Sequence, residues 1–267
     1  MNPFSDKIIL VTGASSGIGK ETALYLASKG VKGVALFARS AEKLEAVAKE
    51  IDAAAGPTKA LVVVGDASKE VDNRRAVEET VKAFGGITGA FINAGVYVGG
   101  MPLHETPDDK IDSVIEVNIK GVIFAFRYLI PAIKETVGDE KLDPTGSIVV
   151  TSSCMGDVVI GPKSSGSSIY SASKAFVNSL VETAAIENAP RIRVNGVMPG
   201  VVRTGIMPVD NETYDAIGAA LQPLWGRAGK AVEIASLAAF LLGDEASFIS
   251  GTNVKADGLW ALSGGGM

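Results

Sequence analysis

The sequence predicts a doubly wound α/β fold, a seven-stranded and mainly parallel sheet with helices on both faces. Two observations carry the prediction. Short apolar, β-branched runs alternate with longer segments whose apolar residues recur every three or four positions. The chain of 267 residues is also 47% hydrophobic and 21% charged, enough for one large core, so the expectation is a single domain over residues 1–267.

The strands are expected at Lys7–Thr12, Gly33–Ala38, Ala60–Gly65, Gly89–Asn93, Ser147–Ser152, Ile192–Met198 and Thr252–Ala256. Most are apolar throughout rather than alternating, as strands covered on both faces should be. Helices of matching period are expected at Gly17–Lys29, Ala41–Ala54, Val71–Phe84, Asp109–Val137, Tyr170–Glu187 and Ala231–Leu242. The serine- and glycine-rich run Lys163–Ser168 reads as a surface loop.

A net charge of −5 provides no field that would gather a polyanion, so nucleic acid is not an expected partner. The single cysteine, Cys154, excludes an internal disulfide. The start Met1–Asp6 lacks a basic segment followed by an apolar one, and the apolar stretches are too short or too interrupted for a bilayer of about 30 Å. These features point to the cytoplasm and to no membrane role.

Directly after the first strand comes Thr12-Gly13-Ala14-Ser15-Ser16-Gly17-Ile18-Gly19, and a helix follows. Glycines let the backbone approach a pyrophosphate, and the helix N-terminus presents unpaired amides to it. The competing explanation is a plain turn capped by Ser15 or Ser16. The second strand ends Phe37-Ala38-Arg39-Ser40, with no acid to grip a ribose 2′-hydroxyl and an arginine able to pair with a 2′-phosphate. NADP is therefore expected over NAD. Ser40 can add a hydroxyl there, and Asp66-Ala67 after the third strand is placed to meet the adenine.

Tyr170 and Lys174 are one helical turn apart on the same face. A phenol is a poor acid–base catalyst at neutral pH, and a neighbouring ammonium is expected to lower its pKa. Alone, the pair equally describes an amphipathic helix with a snorkelling lysine. However, Ser152 and Ser153 close the fifth strand, Asn93-Ala94-Gly95 ends the fourth, and Asn118 lies on the helix after it. In open parallel sheets ligands bind beyond the carboxyl ends of the strands, so these groups are expected to converge.

Taken in order, Thr12–Gly19, Asn93–Gly95, Asn118, Ser153, Tyr170 with Lys174, and Pro199-Gly200 resemble the single-domain branch of the short-chain dehydrogenase/reductase family over nearly the whole chain. The resemblance implies a Rossmann-type fold and an NADP(H)-dependent oxidoreductase that interconverts a ketone or aldehyde and an alcohol by hydride transfer. It implies that Tyr170 is the proton donor or acceptor and that Lys174 binds the nicotinamide ribose. It further implies that Ser153, rather than Ser152, orients the substrate and that Asn118 holds a relay water. The implied cofactor contacts are Gly13, Ser15, Ser16, Gly17, Ile18, Gly19, Arg39, Ser40, Asp66, Ala67, Asn93, Ala94, Gly95, Tyr170 and Lys174. Pro199, Gly200, Val202 and Thr204 would line the nicotinamide side. A homotetramer or homodimer is implied as well, built through Asp109–Val137 and Tyr170–Glu187.

Three departures from the family pattern stand out: a long interval between Ser153 and Tyr170, Gly89 in place of an aspartate, and Asp257-Gly258-Leu259 without a second glycine. Residues 204–227 would form the substrate lid. Its apolar side chains, facing Tyr97, Met155 and Val158, suggest a hydrophobic ketone or secondary alcohol, with Arg203 the nearest spare cation. His104 and Cys154 form no metal site, and no metal is expected. The alternatives are a non-catalytic NADP(H)-binding sensor, against which the proton-transfer residues argue, and a cofactor-independent lyase, against which the glycine turn and Arg39 argue.

Overall fold

The computed structural model describes residues 2–54, 56–138, 146–158 and 166–263. In chain order the strands are β1 (Ile8–Thr12), β2 (Gly33–Ala38), β3 (Lys59–Val64), β4 (Gly89–Ile92), β5 (Gly146–Thr151), β6 (Ile192–Pro199), β7 (Val202–Arg203), β8 (Gly229–Lys230) and β9 (Asn253–Ala256). The helices are α1 (Gly17–Ser28), α2 (Ala41–Ala53), α3 (Glu70–Phe84), α4 (Asp108–Val114), α5 (Gly121–Val137), α6 (Ser168–Asn188), α7 (Asn211–Leu221) and α8 (Ala231–Leu242).

Seven strands form one sheet in the order β3-β2-β1-β4-β5-β6-β9, and every pairing is parallel. Strand alternation divides the apolar residues between two cores. Ile9, Val11, Val34 and Leu36 pack with Leu26 of α1, Leu44 and Val47 of α2 and Ile234 of α8. Leu10, Ala35, Phe37 and Val63 face the other way, against Val77 of α3, Leu129 of α5 and Val177 of α6. The chain begins at mid-sheet, winds outward to β3, then crosses back to β4. That reversal opens a crevice at the carboxyl ends of β1 and β4.

The structure corrects several expectations. The segment expected as one helix, Asp109–Val137, is α4, a π-helical turn at Ile115–Lys120, and then α5. The wider turn carries Asn118, whose buried side chain brackets the main chain of Val96, a tertiary contact invisible to local periodicity. α6 starts at Ser168 rather than Tyr170, which places Tyr170 in its first turn. In the run Lys163–Ser168, residues 163–165 lie outside the described residues, while Ser167 is buried and hydrogen-bonded to Tyr97 rather than exposed in a surface loop. The segment 204–227 also contains structure that periodicity did not signal, the helix α7, and the two-stranded β7–β8 pair brackets it.

Candidate active site

Hydroxyls and amides fasten the carboxyl ends of three strands together. Thr12 Oγ1 accepts from the N–H groups of Asn93 at 2.9 Å and Ala94 at 3.0 Å. Thr151 Oγ1 donates to Asn93 Oδ1 at 3.1 Å. A cleft of about 730 Å³ opens over this seam.

At one end lies the glycine turn. Gly13 and Gly17 have φ of +68° and +54°, a region that favours glycine. A Cβ at Gly19 would stand 2.3 Å from the carbonyl oxygen of Gly13, so this position admits only hydrogen. Ser16 is the N-cap of α1 but makes no side-chain cap bond, and the first turn holds no acid. The plain capped turn is therefore not what the structure contains. A hydrogen-only cradle before a helix whose leading amides lack a side-chain partner fits a pyrophosphate. Thr204 packs against the same turn, 2.9 Å from where a Cβ on Gly17 would be.

At the far end of the cleft are Arg39, Ser40, Asp66 and Ala67. Arg39 is exposed and pairs with no carboxylate among the described residues. Lys43, one turn along α2, joins it in the wall. Lys43 was missed in the sequence, although its i, i+4 spacing from Arg39 was the available signal. Asp66 uses its carboxylate to accept from Ser68 N–H at 2.9 Å, which shapes the loop end.

Between these ends stand Tyr170 and Lys174, 8% and 5% exposed, with Nζ 5.7 Å from the phenol ring centre. Helix geometry alone puts them on one face; α6 packing against the end of β5 turns that face into the cleft. The two serines diverge. Ser152 Oγ donates into α6, to Lys174 O at 3.1 Å and Asn178 Oδ1 at 2.6 Å. Ser153 lies at the cleft wall, its hydroxyl accepting from Met155 N–H at 3.2 Å and hydrogen-bonding the Tyr170 phenol. Asn118 Oδ1 accepts from Val96 N–H at 2.9 Å, while its Nδ2 donates to Val96 O at 2.9 Å and to Ser173 Oγ at 3.2 Å. Its side chain is thus committed to holding the segment after β4. Gly95 separates it from Lys174: a Cβ there would lie 3.4 Å from Asn118 Oδ1 and 3.7 Å from Lys174 Nζ.

Burial pushes the Tyr170 phenol above its ordinary range, partly opposed by the Ser153 hydrogen bond. Lys174 is not among the groups that shift it. Lys174 is itself pushed down to about 8 by burial, and its Nζ donates to Thr151 O at 2.9 Å rather than to the phenol. Cys154, behind Ser153, is raised to about 12 by burial, which keeps it an inert thiol.

The remaining side is lined by Met207, Ile217 and Leu221 of the 204–227 segment, packed in one cluster with Met155 and Trp260. Trp260, near the C-terminus, was not anticipated; Val158 does not line the cleft. Arg203, the expected spare cation, is held bidentately by Asp215, through Nε at 2.9 Å and through Nη2. Gly205 and Gly226, with φ of +79° and +66°, stand near the two ends of this segment. Among the described residues no group of His, Cys, Asp or Glu could hold a metal ion, and no helix is long and apolar enough to cross a membrane.

A parallel sheet with a glycine cradle at one strand end and a buried Tyr–Lys–Ser cluster at another defines a nicotinamide-dependent oxidoreductase site. The comparisons with known proteins name the family. Residues 7–215 match the short chain dehydrogenase family model, and the chain belongs to that family of oxidoreductases acting on CH–OH groups with a nicotinamide cofactor. The chain is 37% identical to the cyclohexanol dehydrogenase of Acinetobacter sp. (strain SE19), over 97% of this chain and 96% of the relative. Its fold superposes on the crystal structure of levodione reductase with a TM-score of 0.86 at 30% identity, covering 97% and 99% of the two chains. A short chain dehydrogenase from Burkholderia cenocepacia J2315, in complex with NADP, gives 0.84 at 34% identity, covering 96% and 98%.

Proposed function

We propose that the chain is an NADP(H)-dependent dehydrogenase/reductase for apolar ketones and secondary alcohols. The observation that carries the reading is the alignment, in one cleft, of the glycine cradle, the unpaired Arg39 and the buried Ser153–Tyr170–Lys174 cluster. The nicotinamide cofactor, when bound, donates or accepts the hydride.

Gly13, Ser15, Ser16, Gly17, Ile18 and Gly19 would hold the pyrophosphate, and Asp66 with Ala67 the adenine end. Arg39, Ser40 and Lys43 would hold the 2′-phosphate, since two exposed cations without ion-pair partners in the same wall leave their donors free to pair with it. Asn93, Ala94, Gly95, Pro199, Gly200, Val202 and Thr204 would wall the nicotinamide half. Tyr170 transfers the proton: to the carbonyl oxygen on reduction, from the hydroxyl on oxidation. Ser153 holds that oxygen and the phenol together, which fixes the direction of transfer. Lys174, near 8, exchanges a proton at little cost close to neutral pH and can resupply the cluster. Asn118 keeps the wall in register by clamping Val96.

The substrate side is apolar, and the ion pair with Asp215 removes Arg203 as an anion site. That supports a hydrophobic carbonyl compound, in keeping with a relative named for cyclohexanol. Residues 1–267 are proposed to act as one domain, with 204–227 as lid, and to assemble as a homotetramer or homodimer. NADPH oxidation on adding a panel of ketones, keto acids and sugars tests the reading. It requires apolar ketones to turn over fastest and NADPH to be preferred. Faster turnover with NADH overturns the cofactor, and faster turnover of charged substrates overturns the substrate class.

A further inference from the structure

Tyr97 touches the catalytic cluster from outside it. Its ring meets the Tyr170 ring edge-on, with centroids 5.0 Å apart and planes at 76°. Its hydroxyl lies 3.0 Å from Ser167 Oγ, and Ser167 is buried just ahead of α6, three residues before Tyr170. The two loops that meet here are built for close approach. A Cβ on Gly99 would fall 2.3 Å from Tyr97 Oη and 2.7 Å from Ser167 Oγ. A Cβ on Gly166, at φ +97°, would fall 2.4 Å from Met101 N. Two glycine seams and one hydrogen bond therefore join the loop after β4 to the chain entering α6. That chain is part of the long Ser153–Tyr170 interval that departs from the family pattern.

We propose that Tyr97 and Ser167 are a positioning latch for Tyr170: their hydroxyl contact holds the Tyr97 ring against the phenol and keeps it aligned with Ser153. This inference rests on Tyr170 being the proton-transfer group. An edge-to-face aromatic contact restrains both the tilt of a ring and its distance. Without the hydroxyl bond the Tyr97 ring is free to turn away, and the phenol loses the wall that this ring provides. Misplacement of a reacting group by about 1 Å costs up to a hundred-fold in rate, so a restraint of this kind acts on kcat rather than on cofactor binding.

The test uses Tyr97→Phe, Ser167→Ala, their double variant and Ser167→Thr, which restores a hydroxyl. The readouts are kcat and KM for an apolar ketone, the Kd for NADPH, and the ionisation of Tyr170 in the free protein. The last is taken as the ultraviolet difference between each variant and the same variant carrying Tyr170→Phe. The two single variants are expected to lose on the order of ten-fold in kcat with NADPH affinity unchanged. The double variant should lose no more than either single one, and Ser167→Thr should recover the loss. Tyr170 should ionise at lower pH in the unlatched variants, because water relieves the burial that holds it up. Single variants within two-fold of the parent, or a double variant whose losses multiply, would overturn the latch while Tyr170→Phe remains inactive. Full turnover by Tyr170→Phe would instead overturn the assignment of Tyr170 itself.

Discussion

Replacing Gly19 by alanine puts the cofactor cradle under direct test. The added Cβ would stand 2.3 Å from Gly13 O, 2.7 Å from Asn93 Nδ2 and 2.8 Å from Gly13 C, where ordinary contact is at least 3.4 Å. Two of the three obstacles are backbone, so α1 must retreat from the turn by about 1 Å, since a close-packed interior cannot absorb the overlap locally. Overpacking of this kind costs about 1–3 kcal/mol, whereas alanine in place of glycine inside a helix returns about 1 kcal/mol. The net loss of stability is thus small, about 0–2 kcal/mol. The effect on the cofactor is larger. Two amide bonds to a charged phosphate, each worth about 1.5–3 kcal/mol, lose their geometry, which corresponds to at least about a hundred-fold in Kd. Gly85→Ala is the control. It forces an alanine to φ +85° with nothing within 4 Å, and should cost about 1–2 kcal/mol of stability without touching the cofactor. Calorimetric titration with NADPH and thermal melting of both variants separate the two effects. Binding by Gly19→Ala within three-fold of the parent would refute the cradle.

Arg39→Ala and Lys43→Ala should each weaken NADPH about ten-fold while leaving NADH unchanged; equal loss of both nucleotides would contradict a 2′-phosphate contact. Tyr170→Phe should still bind NADPH but lose about a hundred-fold or more in kcat, as removal of a general acid requires. Lys174 is depressed from 10.5 to about 8, so charging it in the folded state costs roughly 3 kcal/mol. That penalty is complete below pH 8, and it is relieved as pH rises from 8 to 10.5, where only the unfolded chain still holds the proton. Lys174→Met should therefore melt higher than the parent at pH 7, with the gap closing towards pH 10. A gap independent of pH would show that burial of the charge is not the cause.

Much of the fold was legible because it rests on local chemistry. Each strand of the main sheet lies within a residue or two of its expected bounds, since a run such as Ile8–Thr12 has no polar face to offer and can only be covered on both sides. The glycine turn was legible for the same reason: where only hydrogen fits, the spacing is written into the chain. The helix α7 was not, because its short segment Asn211–Leu221 mixes polar and apolar residues and gains its partners from β7 and from residues distant in the chain such as Cys154 and Trp260. Nor was the π-helical turn, whose apolar period continues smoothly from α4 into α5.

The order of elements, the place of the phosphate cradle and the residue types around it were thus determined by the sequence itself, through propensity, patterning and steric exclusion at glycine. Tertiary structure decided which of two adjacent serine hydroxyls is left for the Tyr170 phenol, since both residues line the cleft and α6 captures the hydroxyl of Ser152. Burial decided the direction in which Tyr170 titrates, against the opposing hydrogen bond from Ser153. A contact spanning 70 residues decided that Ser167 meets Tyr97 beside the cleft. Burial, distance and orientation are properties of segments far apart in sequence brought together, and no window along the chain contains them.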